Sequence, residues 1–303
     1  MYEQKGIYPV IPTPFDENGK IVWRDLDAIV DFAINCQVQG IVVHDFLGEF
    51  QYMTDEERME VSRTVLKRAA GKIKIIIGVS AVSPLKILPF AVHAQEHGAS
   101  AVLCAAPYLT AYPWNFTVFQ GFLPLDQAVR IPIILHNAPE WQSGMKSSQI
   151  KDLAAQFQNQ VYIKDDSTAI HTSITEILNS LKDISNFGGV FAGQGAFDMI
   201  NEWKRGACGF MLGLHLADQL ELIWKDLEEG SIDSAEQRQF ALSRIQLLER
   251  LYPIEVCKHT LKRRGVIEHT CSRINGKPRL DKQGIEGLNR ALDSLCSKVS
   301  ICL

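Results

Sequence analysis

Short, continuously apolar runs alternate with stretches of helical period eight times along this chain, and that rhythm restricts the fold more than any other feature of the sequence. The runs are Ile7–Val10, Gly40–Val43, Ile73–Val79, Ala101–Ala105, Ile131–Leu135, Val161–Lys164, Gly189–Ala192 and Gly209–Leu214, and a helix pattern follows each. Strands that are apolar on both faces belong to parallel sheets covered by helices. Two helix starts are legible: Thr54-Asp55-Glu56-Glu57 is a capping box, and Ser83-Pro84 puts a cap residue before a proline at the first helical position. Eight such units in the first 230 of 303 residues predict an α/β chain folded as a (β/α)8 TIM barrel, a fold for which ~250 residues is usual. No G-x-G-x-x-G turn follows the first run, which argues against a doubly wound dinucleotide-binding sheet. Residues 231–303 are largely helical by period, with breaks near Pro253 and Gly276-Lys277-Pro278. The sequence thus predicts a barrel catalytic domain over 1–230 and a C-terminal helical domain over 231–303.

Charge and cysteine content narrow the partners. With 31 Lys and Arg against 35 Asp and Glu, the net charge is -4, and no basic stripe offers a track for nucleic acid. No apolar run approaches the ~20 residues that span a bilayer, and Met1–Lys5 carries no secretory apolar core. A soluble, cytoplasmic protein with a small-molecule partner is expected. The cysteines, at 36, 104, 208, 257, 271, 296 and 302, are odd in number, widely spaced and form no CxxC pair. Neither a zinc cage nor a disulfide framework fits them, and no metal or cofactor is expected.

In a barrel of this kind, chemistry gathers at the C-terminal ends of the strands. Lys164 ends the run Val161-Tyr162-Ile163, where a lysine loses solvation, its pKa falls and the free amine can attack a carbonyl. The bland alternative is a lysine paired with Asp165 or Asp166. His136-Asn137 ends the fifth run; an imidazole there suits proton transfer near neutral pH, or is a neutral ring satisfied by its neighbours. Tyr108, after Pro107, can relay a proton, bind a carboxylate or simply pack. His44, Asp45 and Glu49 share one loop, a weak hint of metal binding. His93-Ala94-Gln95-Glu96-His97 matches the H-x-x-E-H zinc motif, but on a helix that would lie outside the barrel, away from the strand ends. Glycines at 193, 195, 206, 209 and 213 flank the last two strands, where barrels often bind phosphate and where close packing asks for glycine equally.

Taken in order and spacing, Pro12-Thr13-Pro14-Phe15, Gly48-Glu49 with Thr54-Asp55-Glu56-Glu57-Arg58, Ala106-Pro107-Tyr108, Asn137-Ala138-Pro139 and Ile163-Lys164 resemble the dihydrodipicolinate synthase / N-acetylneuraminate lyase family of Schiff-base lyases. The resemblance runs from about Gly6 to Leu292. It implies a (β/α)8 barrel with a C-terminal helical domain, a homotetramer or dimer of dimers, and an imine between Lys164 and a 2-keto acid. It also implies a substrate pocket drawing on Phe46, Leu47, Gly48, Glu49, Asn137, Gly193 and Met211, with the Gly48 and Glu49 amides meeting the substrate carboxylate.

The chain departs from the family pattern at defined places. Asp45-Phe46-Leu47-Gly48-Glu49 stands where the family has Gly-Thr-Thr-Gly-Glu, so both hydroxyls are missing. His136 replaces the tyrosine that transfers the proton, Leu109 replaces the second tyrosine of Pro-Tyr-Tyr, and Trp141 replaces the synthase arginine. The pattern is similar to the branch containing 2-keto-3-deoxy sugar acid dehydratases, as are Gly206–Met211 and Arg264-Gly265-Val266-Ile267. The expected activity is a dehydratase or aldolase acting through Lys164, with His136 and Tyr108 assisting. The alternatives are a pyruvate–aldehyde condensation and a metabolite-binding protein without catalysis.

Overall fold

Each predicted run becomes a strand, and the eight strands pair in parallel. The structure, a computed structural model, describes residues 4–106, 122–139, 144–167, 169–274 and 279–296. In chain order the strands are β1 (Gly6–Ile7), β2 (Gly40–Val43), β3 (Lys74–Gly78), β4 (Ala101–Ala105), β5 (Ile133–Asn137), β6 (Val161–Asp165), β7 (Phe187–Ala192) and β8 (Gly209–Phe210). The helices are α1 (Trp23–Asn35), α2 (Asp55–Ala69), α3 (Pro84–Glu96), α4 (122–128), α5 (Ser147–Ala154), α6 (Ile170–Leu181), α7 (Met199–Lys204) and α8 (Ala217–Glu228), then α9 (Ile232–Leu251), α10 (Pro253–Arg263) and α11 (Lys282–Cys296). Strand order is sequential from β2 to β8, with β1 beside β8. Val10, just past β1, bridges Val42 on one side and Gly213 on the other, which closes the sheet into a (β/α)8 barrel.

Strand periodicity sorts the side chains into two layers. Tyr8, Val10, Val42, Ile76, Leu103, Ile134, Tyr162, Phe191 and Met211 fill the barrel interior. Their neighbours Ile41, Ile75, Ile77, Leu135, Ile163 and Val190 face outward into the apolar layer under the helices. Both faces are therefore dry, as continuous apolar runs require. The interior stays polar only at its ends: at the bottom, Tyr162 Oη accepts from the Gln4 N–H (3.0 Å) and Tyr8 Oη donates to Gln4 Oε1 (2.9 Å).

Local signals hold where tertiary packing leaves them alone. Thr54 caps α2, accepting from the Glu57 N–H at 3.2 Å while the Glu57 carboxylate accepts from the Thr54 N–H at 3.0 Å. Pro84 opens α3, but the Ser83 side chain makes no capping bond there. β5 begins two residues later than the apolar run, because Pro132 has no N–H to give the ladder. It also runs two residues past the apolar run, so His136 and Asn137 belong to the strand itself. The C-terminal helices α9 to α11 join the same apolar layer as the barrel helices, through Leu242, Ile245, Val256, Leu261, Leu288 and Leu292. No helix among the described residues is long and apolar enough to cross a membrane.

Candidate functional site

The pairing of β5 with β6 puts His136 directly beside Lys164. Both share the inward phase of Ile134 and Tyr162, so both side chains rise from the barrel floor toward its C-terminal mouth. Lys164 is buried and forms an ion pair with Asp45 Oδ2 and a second with Asp166 Oδ2 at 3.0 Å. His136 Nε2 lies 2.5 Å from Asp166 Oδ2, and its Nδ1 lies 3.6 Å from Asp45 Oδ1. Two carboxylates thus clasp one ammonium and one imidazole.

Electrostatics here run against the expectation for Lys164. Burial alone pulls the amine's pKa down, but the carboxylates of Asp166 and Asp45 outweigh it and leave the value above the usual lysine range. The resting lysine is an ammonium. Burial likewise pushes Asp166 up, yet Lys164 and His136 hold it well below the ordinary carboxylate range. The remaining oxygen of Asp166 accepts the Gln194 N–H at 2.9 Å, and the Gln194 side-chain amide donates to the Asp166 carbonyl. Gly193 is glycine for this reason, since a Cβ there would fall onto the Asp166 carboxylate.

A cavity of about 310 Å³ opens over this cluster. Lys164, Asp45 and Asp166 form its polar end, with Phe46, Leu47, Met211 and Leu212 as apolar walls, and α9 and α10 supply Glu249, Arg250, Pro253 and Ile254. His136 does not line the cavity; it sits beneath, 1% exposed, with its ring 5.4 Å from that of Phe46. Asp45 and Asp166 both touch the lysine and line the cavity; Asp166, two residues beyond Lys164 in the same inward phase, is the more open of the two, its side chain 16% exposed against 5%.

Several expected contacts fall elsewhere. Asn137 follows the outward phase and faces the helices: its amide donates to Asp165 Oδ1 (2.7 Å) and its carbonyl accepts the Met145 N–H (2.7 Å). Burial raises the pKa of Asp165, against hydrogen bonds from Ser173, Asn137 and Ser167. The Gly48 and Glu49 amides are not aimed at a ligand either, since they close the turn after β2 on the Asp45 and Phe46 carbonyls (2.8 and 3.1 Å). The Glu49 carboxylate turns away to Lys258 Nζ (2.6 Å), Ser272 Oγ (2.6 Å) and the Arg273 N–H (2.8 Å). His44 bonds to the Arg58 carbonyl (2.8 Å) and Ser62 Oγ (3.0 Å), and burial drops its pKa to about 3. The loop's three potential ligands therefore point three ways, and among the described residues no group of three His, Cys, Asp or Glu side chains is placed to hold a metal. His93 on α3 and His97, which caps its C-terminus, stack on each other at 4.1 Å, outside the barrel. Tyr108, Leu109 and Trp141 lie outside the described residues.

The sequence profile of the Dihydrodipicolinate synthetase family matches residues 3–283. The chain belongs to this family. A curated relative, L-2-keto-3-deoxyarabonate dehydratase from Azospirillum brasilense, is 26% identical over 266 residues, covering 87% of this chain and 85% of its own. A 4-hydroxy-tetrahydrodipicolinate synthase from Aromatoleum aromaticum is 30% identical over 195 residues, covering 64% and 66% of the two chains. Among solved structures, YagE from E. coli K12, a prophage protein of the dihydrodipicolinic acid synthase family in complex with pyruvate, superposes with TM-score 0.89 at 21% identity over 96% of this chain and 98% of its own. Dihydrodipicolinate synthase from Rhodopseudomonas palustris gives 0.88 at 24% identity over 97% and 98%. Both share the barrel and its C-terminal helices. The named members among these relatives are lyases.

Proposed function

We propose that this chain is a Schiff-base-forming lyase acting on a 2-keto acid, specifically a 2-keto-3-deoxy sugar acid dehydratase or aldolase. The observation that carries this reading is Lys164: a buried amine at the end of a barrel strand, set between two carboxylates at the floor of a cavity large enough for a small acid. The ammonium first gives its proton to Asp45 or Asp166. The amine then attacks the ketone carbon, the carboxyl returns that proton to the carbinolamine hydroxyl so that it leaves as water, and the resulting iminium draws electrons from C3. Asp166 takes the C3 proton, supported from behind by His136, which shares the charge through their 2.5 Å contact. When the enamine collapses to expel the C4 hydroxyl, Asp166 returns that proton and water departs. In an aldolase the same electron sink instead breaks the C3–C4 bond. Phe46, Leu47 and Met211 shape the substrate's apolar surroundings, Gly193 leaves room for Asp166, and Tyr108 orients a substrate group.

The L-2-keto-3-deoxyarabonate dehydratase relative supports the dehydratase branch, as does the absence of the loop hydroxyls and synthase arginine at Phe46, Leu47 and Trp141. A homotetramer or dimer of dimers and a cytoplasmic location complete the proposal; light scattering on the purified protein tests the first. The central test is borohydride reduction with pyruvate and with 2-keto-3-deoxy acids, followed by intact mass and peptide mapping. A ligand-sized adduct on Lys164, absent in Lys164→Ala, is expected. Adducts that persist in Lys164→Ala refute the assignment. Turnover of a single 2-keto-3-deoxy acid separates this activity from pyruvate–aldehyde condensation, and ligand-induced melting shifts without any adduct identify a non-catalytic binder.

A further inference from the structure

Into the same cavity as Lys164, α9 presents a carboxyl group that the chemistry above leaves unused. Glu249 lines the cavity while its side chain is 10% exposed. His215 Nε2 lies 3.7 Å from it, beyond hydrogen-bond distance, and among the described residues neither ring nitrogen of His215 has a hydrogen-bond partner. Gly213 makes the space, since a Cβ there would stand 2.5 Å from Glu249 Oε1 and 2.8 Å from His215 Nδ1. The other polar cavity residues are occupied: Asp45, Lys164 and Asp166 with one another, Gln194 with Asp166, and Arg250 with Gln194 (3.4 Å) and the Phe197 ring. An unpartnered carboxyl aimed into a mostly apolar cavity is a feature that a ligand would complete.

We propose that Glu249 is a substrate-specificity residue that hydrogen-bonds a hydroxyl on the distal part of a polyhydroxylated 2-keto acid, selecting such chains over pyruvate. This rests on the imine reading of Lys164. A neutral carboxylic acid offers one donor and one acceptor, which matches an alcohol and avoids placing a second anion beside an anionic substrate. Burial supports the neutral form, pushing the Glu249 pKa up to about 8. The groups facing it are His215, lowered to about 3 by burial and by Arg264 and so uncharged, and the Cys257 thiol on α10, raised by burial. Arg250 adjoins it on α9, and Lys164, Asp45 and Asp166 line the same cavity.

The test compares half-saturating concentrations for borohydride trapping with pyruvate and with L-2-keto-3-deoxyarabonate between pH 6 and 9. Their ratio cancels the titration of Lys164, which both ligands share. Wild type should favour the sugar acid by about tenfold, the worth of one hydrogen bond, and lose that preference as pH rises through about 8. Glu249→Gln should keep the preference and flatten its pH dependence. Glu249→Leu should bring the ratio near one through the sugar-acid arm, with a cooperative melt showing that the variant is folded. A wild-type ratio near one, or a preference that survives in Glu249→Leu, overturns the proposal while leaving the imine intact. No adduct with either ligand overturns the imine reading, and this proposal with it.

Discussion

Lys164 keeps its proton because two carboxylates lie against it, so the free amine is a minor species at neutral pH. Imine trapping with pyruvate should then climb steadily from pH 7 to 9, by up to tenfold per pH unit, whereas an amine of lowered pKa would level off. Asp45→Asn removes one of the two anions and should move the profile to lower pH. Trapping at pH 7 then rises by about tenfold for every pH unit that the profile moves. A profile that stays in place would show that Asp45 does not hold the charge. Glu202 on α7 is a second buried acid, 1% exposed, with Oε2 unpartnered. Burial, then Asp198, Asp165 and Asp166, raise it from 4.5 to about 8. The unfolded chain ionises this group above 4.5 while the fold keeps it neutral, so folding takes up a proton and stability falls as pH rises from 4.5 to 8. The loss is on the order of a few kcal/mol at ~1.4 kcal/mol per pH unit. Glu202→Gln should narrow the gap between melting temperatures at pH 5 and pH 8 by several degrees; an unchanged gap would refute its neutrality.

The loop between β2 and α2 shapes one cavity wall, and a buried ion pair fixes it to the C-terminal helices. Glu49 and Lys258, both essentially unexposed, meet at 2.6 Å, and Lys258 also donates to the Cys271 carbonyl at 2.6 Å. Burial lowers the Lys258 pKa, and Glu49 opposes that by favouring the charged amine. Nearby, Arg273 forks onto both oxygens of Glu57 at 2.6 Å. Removing one partner of such a pair strands the other charge and costs about 3–5 kcal/mol, whereas a matched apolar pair is often tolerated. Denaturant unfolding should therefore find Glu49→Gln strongly destabilised and Glu49→Leu with Lys258→Met largely restored. This clasp joins residues 209 positions apart, so nothing local in the sequence announces it, and Glu49 reads from sequence alone as a substrate loop residue. The barrel is legible because strands dry on both faces leave uninterrupted apolar runs. Lys164 is legible because a charge ending such a run stands out. Asp166 is within reach as the next inward-facing position after Lys164, but its distinction from Asp165 depends on where β6 ends. Asn137 reads as a pocket residue until strand alternation is followed from Ile134, inward, and Leu135, outward, which turns His136 into the barrel and Asn137 away from it.

At the scale of the molecule, the cavity belongs neither to the barrel alone nor to the helices that follow it. The barrel brings Asp45, Lys164, Asp166 and Met211; α9 and α10 bring Glu249, Arg250, Pro253 and Ile254. The packing is shared in the same way. Leu220, Ile223, Trp224 and Leu227 on α8 belong to one apolar cluster with Ala235, Leu242 and Ile245 on α9 and Val256 and Leu261 on α10. Division at residue 230 is therefore a boundary of topology, and the two parts should unfold together because neither buries its apolar face without the other. Scanning calorimetry of the full chain should give a single transition that every spectroscopic probe follows. A chain ending at residue 230 would uncover α8 and open the cavity on one side, so it should bind a hydrophobic dye and melt without a cooperative step. Two resolved transitions in the full chain, or a sharp melt in the shortened one, would mean that the barrel stands alone and that α9 and α10 merely rest upon it.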